Sequence, residues 1–188
     1  MKNKLVLPII LVGVLAIAVI FALSITGTQK AQAALLQKYG LTGLDTVAIV
    51  NKLDSSVDEP KELLSSITGE KLILKEGKTT VELPLPKDMF YLSFAPYENT
   101  VHPCARHNLA SCRGELMNVP VRTTITDDKG TLILDETVQT MANGFVGVWL
   151  PKNINANLQV DYNGKTVTAP VSTFADSDTC LTTPLKLN

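Results

Sequence analysis

Past Pro86 the apolar residues of this chain recur at every second position, and that alternation restricts the C-terminal half to strands. Residues 89–95 read as a strand, apolar at nearly every position. Residues 117–125 form a second, with Val119, Val121 and Thr123 on one face. Asp127-Asp128-Lys129-Gly130 predicts a turn into residues 131–140, where Leu132, Leu134 and Val138 are apolar. Residues 145–150 are strand-like around Trp149. Residues 158–162 and 165–170 flank Asn163-Gly164, a dipeptide that supplies the two left-handed residues of a tight hairpin. Five or six short strands with polar turns predict a β-sandwich or an open barrel.

The half before this pattern is different. Pro84 and Pro86 flank Leu85 and mark a joint. Ahead of it, Leu35, Leu36 and Tyr39 form a short apolar turn that stops at Gly40. Asp45 caps a predicted helix carrying Val47, Val50 and Leu53, with Leu44 in phase. Asp58-Glu59-Pro60 predicts the start of a second helix, with Leu63, Leu64 and Ile67 as its apolar face and Gly69 as its stop. Leu72-Ile73-Leu74 and residues 79–83 then read as a hairpin across Glu76-Gly77-Lys78. The class is therefore α+β, with a helical and hairpin segment over 34–86 and a β-rich domain over 87–188. Two short helices and a hairpin bury little surface alone, so they should dock on the rest of the chain or on a second copy.

Residues 1–33 read as an export signal. Lys2 and Lys4 precede an uncharged apolar run from Leu5 to Ile25, and the small-residue triplet Ala31-Gln32-Ala33 follows. The run is long enough that an uncleaved anchor is the alternative. The whole chain is nearly balanced, with 17 basic and 18 acidic side chains. Losing residues 1–33 removes Lys2, Lys4 and Lys30 and no acid, which leaves a mildly acidic protein. That balance excludes a nucleic-acid binder, which needs a basic stripe to displace counterions from phosphates.

Chemistry concentrates between two predicted strands. Residues 97–116 hold both histidines, His102 and His107, and two of the three cysteines, Cys104 and Cys112. The third, Cys180, lies on a tail that can run back along the sheet. Outside the cytosol thiols are normally paired, and three is an odd number. One bland reading is a Cys104–Cys112 disulfide with Cys180 left over. Another pairs Cys180 with either loop cysteine to pin the tail. The functional reading is a soft-metal site, since thiolates select Cu(I) and imidazole suits copper as well. The spacing between Cys104 and Cys112 fits neither a zinc finger nor a C-x-x-C redox centre. Met117 offers a further soft donor, although a Met entering a strand usually belongs to a core. Glu98, Glu115 and Asp135 read as ordinary solvated acids. A thiol–imidazole dyad has the right residue types, but no oxyanion loop accompanies it.

The motifs His102-Pro103-Cys104, His107-Asn108-Leu109 and Ser111-Cys112, with the distant Cys180, resemble the CueP family of exported bacterial copper-binding proteins. The likeness covers most of the chain after residue 33. It implies an extracytoplasmic, periplasmic protein that sequesters copper, reduces Cu(II) to Cu(I) and contributes to copper resistance. It assigns Cys104, Cys112 and Cys180 to the metal, with His102 and His107 beside them. It also implies a homodimer formed through the N-terminal part. Its partners are copper ions and an envelope protein that receives copper or reduces thiols; in some members the receiver is a secreted superoxide dismutase. Two other readings remain: a disulfide-stabilised secreted β-domain that binds a protein, and a thiol–disulfide oxidoreductase. Cleavage after Ala33 is expected from the small-residue triplet, so the intact mass of protein recovered from the envelope should correspond to a chain beginning at Ala34. Retention of Met1 would instead identify an anchor.

Overall fold

The computed structural model describes residues 26–56 and 62–188. The chain divides into two compact units, residues 1–43 and residues 44–188. In the first, residues 26–38 form helix α1, which contains the Ala31-Gln32-Ala33 triplet. The sequence led us to expect only a short turn around Leu35. Gly40 ends the helix as expected, with φ of 63°. The Gly40 amide bonds the Gln37 carbonyl at 3.0 Å and the Leu41 amide bonds that of Leu36 at 2.8 Å, so the last carbonyls of α1 are satisfied. Among the described residues, no helix is long and apolar enough to cross a membrane.

The second unit opens with α2 (Thr46–Asp54), capped by Asp45, whose side chain accepts from the Ala48 amide at 2.8 Å. Ile49, Val50 and Leu53 are its buried face, and Asp54 is buried with them. The second predicted helix is corrected. Its expected start at Asp58 lies outside the described residues, but its apolar face is strand β1 (Leu64–Ile67). Four residues are too few for apolar spacing to separate the two periods. Pairing decides: β1 lies antiparallel to β2 (Lys71–Glu76), which pairs in turn with β3 (Thr79–Pro84). Ser65 and Ile67 face inward and Leu64 is left exposed.

The remaining strands form a sandwich. β4 (Met89–Phe94) is followed by the long loop, then by β5 (Pro120–Asp127), β6 (Leu132–Gln139), β7 (Val146–Pro151), β8 (Asn155–Tyr162), β9 (Lys165–Ser172) and β10 (Cys180–Leu181). One sheet has the order β10-β4-β7 and the other β6-β5-β8-β9. Their inner faces meet in one core, where Phe90, Leu92 and Phe94 pack with Val121, Ile125, Leu158 and Val160. The α+β class and the sandwich are thus as the alternation implies. Asn163 and Gly164 both have positive φ, 50° and 78°, as a tight hairpin requires. β5 begins later than expected because Asn118, with φ of 55°, breaks the extended run ahead of it. β10 is too short for periodicity to reveal; it pairs parallel to β4, Cys180 opposite Ser93.

Two features of this frame matter for the loop. β4 is buried on both faces, so while Phe90, Leu92 and Phe94 fill the sandwich, Tyr91 and Ser93 point the other way, toward Asp54. The loop's far end rests on the turn before β7, where Gly114 donates to the Asn143 carbonyl at 2.7 Å. A methyl group on Gly114 would strike the Gly144 backbone. Gly114→Ala should therefore cost about 1–3 kcal/mol, the range for overpacked sites. Leu132→Ala, at an exposed edge position, should stay within about 0.5 kcal/mol of the parent. Denaturant midpoints compare the two.

Candidate metal centre

The loop after β4 is held at three places. Its middle runs along the edge of β1: Ile67 donates to the His107 carbonyl at 3.1 Å, and Leu109 donates to that of Ser65 at 2.9 Å. The Asn108 side chain accepts from Ser65 Oγ at 3.1 Å. Its two ends are joined by Glu115, whose carboxylate accepts from the amides of Glu98 and Asn99 at 2.7 and 2.9 Å. These bonds, led by the Asn99 amide, hold the Glu115 carboxyl down at a pKa of about 2. Glu115 is thus a structural clasp, not the ordinary solvated acid its sequence context suggests. The C-terminal tail is the third tie. The amides of Thr179 and Cys180 both donate to the Ala105 carbonyl, at 3.0 and 3.2 Å. Thr179 Oγ1 donates to Ile67 O at 2.8 Å and accepts from the His107 amide at 3.2 Å.

These ties bring the three sulfurs together. Cys104 and Cys180 form a disulfide across a sequence separation of 76, with Cα atoms 5.5 Å apart. Of the two pairings of Cys180 with a loop cysteine that would pin the tail, it is the one with Cys104. Cys112 is free and partly exposed. Its Sγ lies 3.7 Å from that of Cys104. His107 Nδ1 lies 3.6 Å from Cys180 Sγ. The donor atoms of Cys104, His107, Cys112 and Cys180 all lie within 4.8 Å of one another. Ala95, Phe145 and Met141 pack around the sulfurs, and the His107 ring packs at a tilt of 46° against that of Phe145, with centroids 4.7 Å apart. His102 stands at the exposed edge, outside this group of four, and its carbonyl accepts from Thr182 Oγ1 at 2.8 Å. Met117 is exposed and is not the core residue its position suggests.

Beneath the sulfurs lies a polar cluster that the sequence did not reveal. His107 and Asp54 are both fully buried, with Nε2 and Oδ1 2.7 Å apart. The other Asp54 oxygen accepts from Tyr91 Oη and Ser93 Oγ, and Asn143 Nδ2 donates to Asp54 Oδ1 at 2.9 Å. With Nε2 held by the carboxylate, the ring must turn Nδ1 toward the sulfurs. Burial disfavours the imidazolium, but the bonds to Asp54 and Cys112 outweigh it and raise His107 to about 9. Burial likewise disfavours the Cys112 thiolate, and the bond and charge of His107 outweigh it, lowering Cys112 to about 7. Tyr91 is pushed well above its ordinary value by burial and by the Asp54 charge, so its phenol stays a donor.

The CueP family model, described as periplasmic copper-binding protein CueP, matches residues 48–186. The chain belongs to the CueP family. The crystal structure of S.CueP is 44% identical to it, with a TM-score of 0.76 over 84% of this chain and 98% of that one. No curated protein matches the chain. Membership bears out the resemblance carried by the Cys and His motifs, and it makes this a member of a periplasmic copper-binding family.

Two outcomes follow from the His107 pair. Removing Asp54 or His107 strands the other polar group in the interior, so Asp54→Leu and His107→Ala should each lose about 3–5 kcal/mol of stability. The raised His107 stabilises fully below its ordinary value near 6.5, and that contribution is lost as pH rises through about 9. The depressed Cys112 does the reverse: its contribution is complete above pH 9 and is lost as pH falls through about 7. Thiolate absorbance in the metal-free oxidised protein should therefore appear near pH 7. In His107→Ala it should move up toward the ordinary thiol value of about 8.5.

Proposed function

We propose that Cys104, Cys112, Cys180 and His107 are the copper donors, with His102 assisting at the exposed edge. The observation that carries this reading is the convergence of four nitrogen and sulfur donors within 4.8 Å from a loop and a distant tail. Two or three soft thiolates suit Cu(I), and the apolar wall of Ala95 and Phe145 favours a buried ion of low charge. Asp54 fixes the His107 ring from behind, as carboxylates do for metal-bound imidazoles.

The protein also reduces its cargo in this reading. Two thiolates, Cys104 and Cys180, give one electron each to two Cu(II) ions and join as a disulfide, leaving two Cu(I). The disulfide between these residues is the form such a step would leave behind. Cys112 and His107, with His102 near, then remain to hold Cu(I). An external thiol reductant in the envelope restores the dithiol. Sequestration and reduction together contribute to copper resistance, in a chain exported by residues 1–33 and handing copper to an envelope acceptor. Residues 34–86 form the dimerisation part and residues 87–188 the copper domain. The exposed Leu44 and Leu64 support a homodimer through the N-terminal part.

Competition against a Cu(I) chelator under reducing conditions tests the donor set. Each of Cys104→Ser, Cys112→Ser and Cys180→Ser should lose more than the about 10–100-fold that removing an outer partner costs. His102→Ala and His107→Ala should lose less Cu(I) affinity and more Cu(II) capture, because imidazole is the harder donor. If the disulfide only braces the fold, Cys104→Ser and Cys180→Ser lower thermal stability and no variant alters copper binding. Sedimentation of the mature chain at micromolar concentration tests the dimer, which a monomeric boundary would refute.

A further inference from the structure

The free thiol of Cys112 lies beside a disulfide, and the copper-reducing cycle above leaves that juxtaposition unused. Cys112 Sγ is 3.7 Å from Cys104 Sγ, where a covalent S–S bond needs about 2.0 Å. A movement of less than the width of an atom separates the two states. One loop carries both residues, and Cys112 packs beside Ala95, Phe145 and Cys180, outside the sandwich core. On the far side of the bond, Cys180 is buried with 1% exposure and lies 3.6 Å from His107 Nδ1. The His107 ring nitrogen and the sulfurs of Cys112 and Cys180 lie within 4.8 Å of one another, so one imidazole stands beside both the entering and the leaving sulfur.

We propose that the protein carries out an internal thiol–disulfide exchange in which Cys112 attacks Cys104 and releases Cys180. The Cys112 sulfur gives up its proton and bonds to Cys104 Sγ. The Cys104–Cys180 bond breaks, and Cys180 leaves with its electron pair and takes up a proton, passed across by His107. One S–S bond forms as one breaks, so nothing is oxidised or reduced and no outside reagent enters. The exchange moves the oxidised pair from loop and tail onto the loop alone. In the starting disulfide one sulfur is buried; in the product both belong to partly exposed residues. An external thiol must reach a sulfur to attack it, and the exchange returns the buried Cys180 as a thiol without its being reached from outside. This use of the exchange rests on the copper-reducing reading, whereas the exchange itself does not.

The test uses metal-free, full-length mature protein oxidised to one disulfide and one thiol. It is held at pH 8, quenched in acid to stop exchange by protonating the thiolate, digested with an acid protease and mapped for linked peptides. Two pairings are expected, Cys104–Cys180 and Cys104–Cys112, the second above the background of Cys112→Ser, which cannot form it. Cys104–Cys180 alone, or a Cys112–Cys180 pair in place of Cys104–Cys112, would overturn the proposal. Cu(I) competition on the same preparation after full reduction separates the two readings. A single pairing with normal Cu(I) capture removes only the exchange. Both pairings without Cu(I) capture uphold the exchange and remove the copper site.

Discussion

The contact on which the site depends is the buried one between Asp54 and His107, 2.7 Å long and closed to solvent. A carboxylate taken out of water is costly unless its oxygens find donors. Asp54 finds four: His107 from the loop, Tyr91 and Ser93 from β4, and Asn143 from the turn before β7. One side chain at the end of α2 therefore joins the helix, the outer face of the three-stranded sheet and the loop that carries the sulfurs. The loop backbone is then fixed from two sides, by β1 along its middle and by the tail at Ala105. The sulfurs meet because this polar floor leaves the loop little choice of path.

Much of the frame could be read from residue order. Alternation located strands such as β5 and β8 because one face of each is buried, and the Asn163-Gly164 turn had to be a hairpin for steric reasons. The two strands that escaped, β1 and β10, are short and owe their existence to partners far away in sequence. The cysteines and His107 stood out by residue type, since those side chains have little other use when clustered. Asp54 did not, because a single acid ending an apolar helix face looks like a surface residue. Its position carried a signal nonetheless. An acidic residue in the last turn of a helix opposes the macrodipole, and such a choice points to a partner elsewhere. Which cysteine pairs with Cys180 was open for another reason: all three sulfurs converge on one point, and spacing in the sequence does not rank distances at that scale.

The disulfide and the metal reading place opposite demands on the same atoms. Closing a loop of 76 residues with a disulfide stabilises the fold by about 4–5 kcal/mol on the chain-entropy account. Reduction surrenders that and leaves three thiols around an imidazole, each partly or wholly removed from water. The hydrogen bonds of Thr179 and Cys180 to Ala105, and of Thr179 to Ile67, do not involve sulfur. They hold the tail by bonds that reduction of the disulfide does not itself break.

The parallel pairing of β10 with β4 also sets an order of events in the life of the chain. Cys180 follows Cys104 by 76 residues. Ribosomes and export channels deliver a protein from its N-terminal end. The loop with Cys104, His107 and Cys112 thus emerges long before its last sulfur does. An unfinished or truncated chain presents a pair of thiols and an imidazole with no third sulfur to close over them. A complete centre therefore reports a chain made at least as far as Cys180.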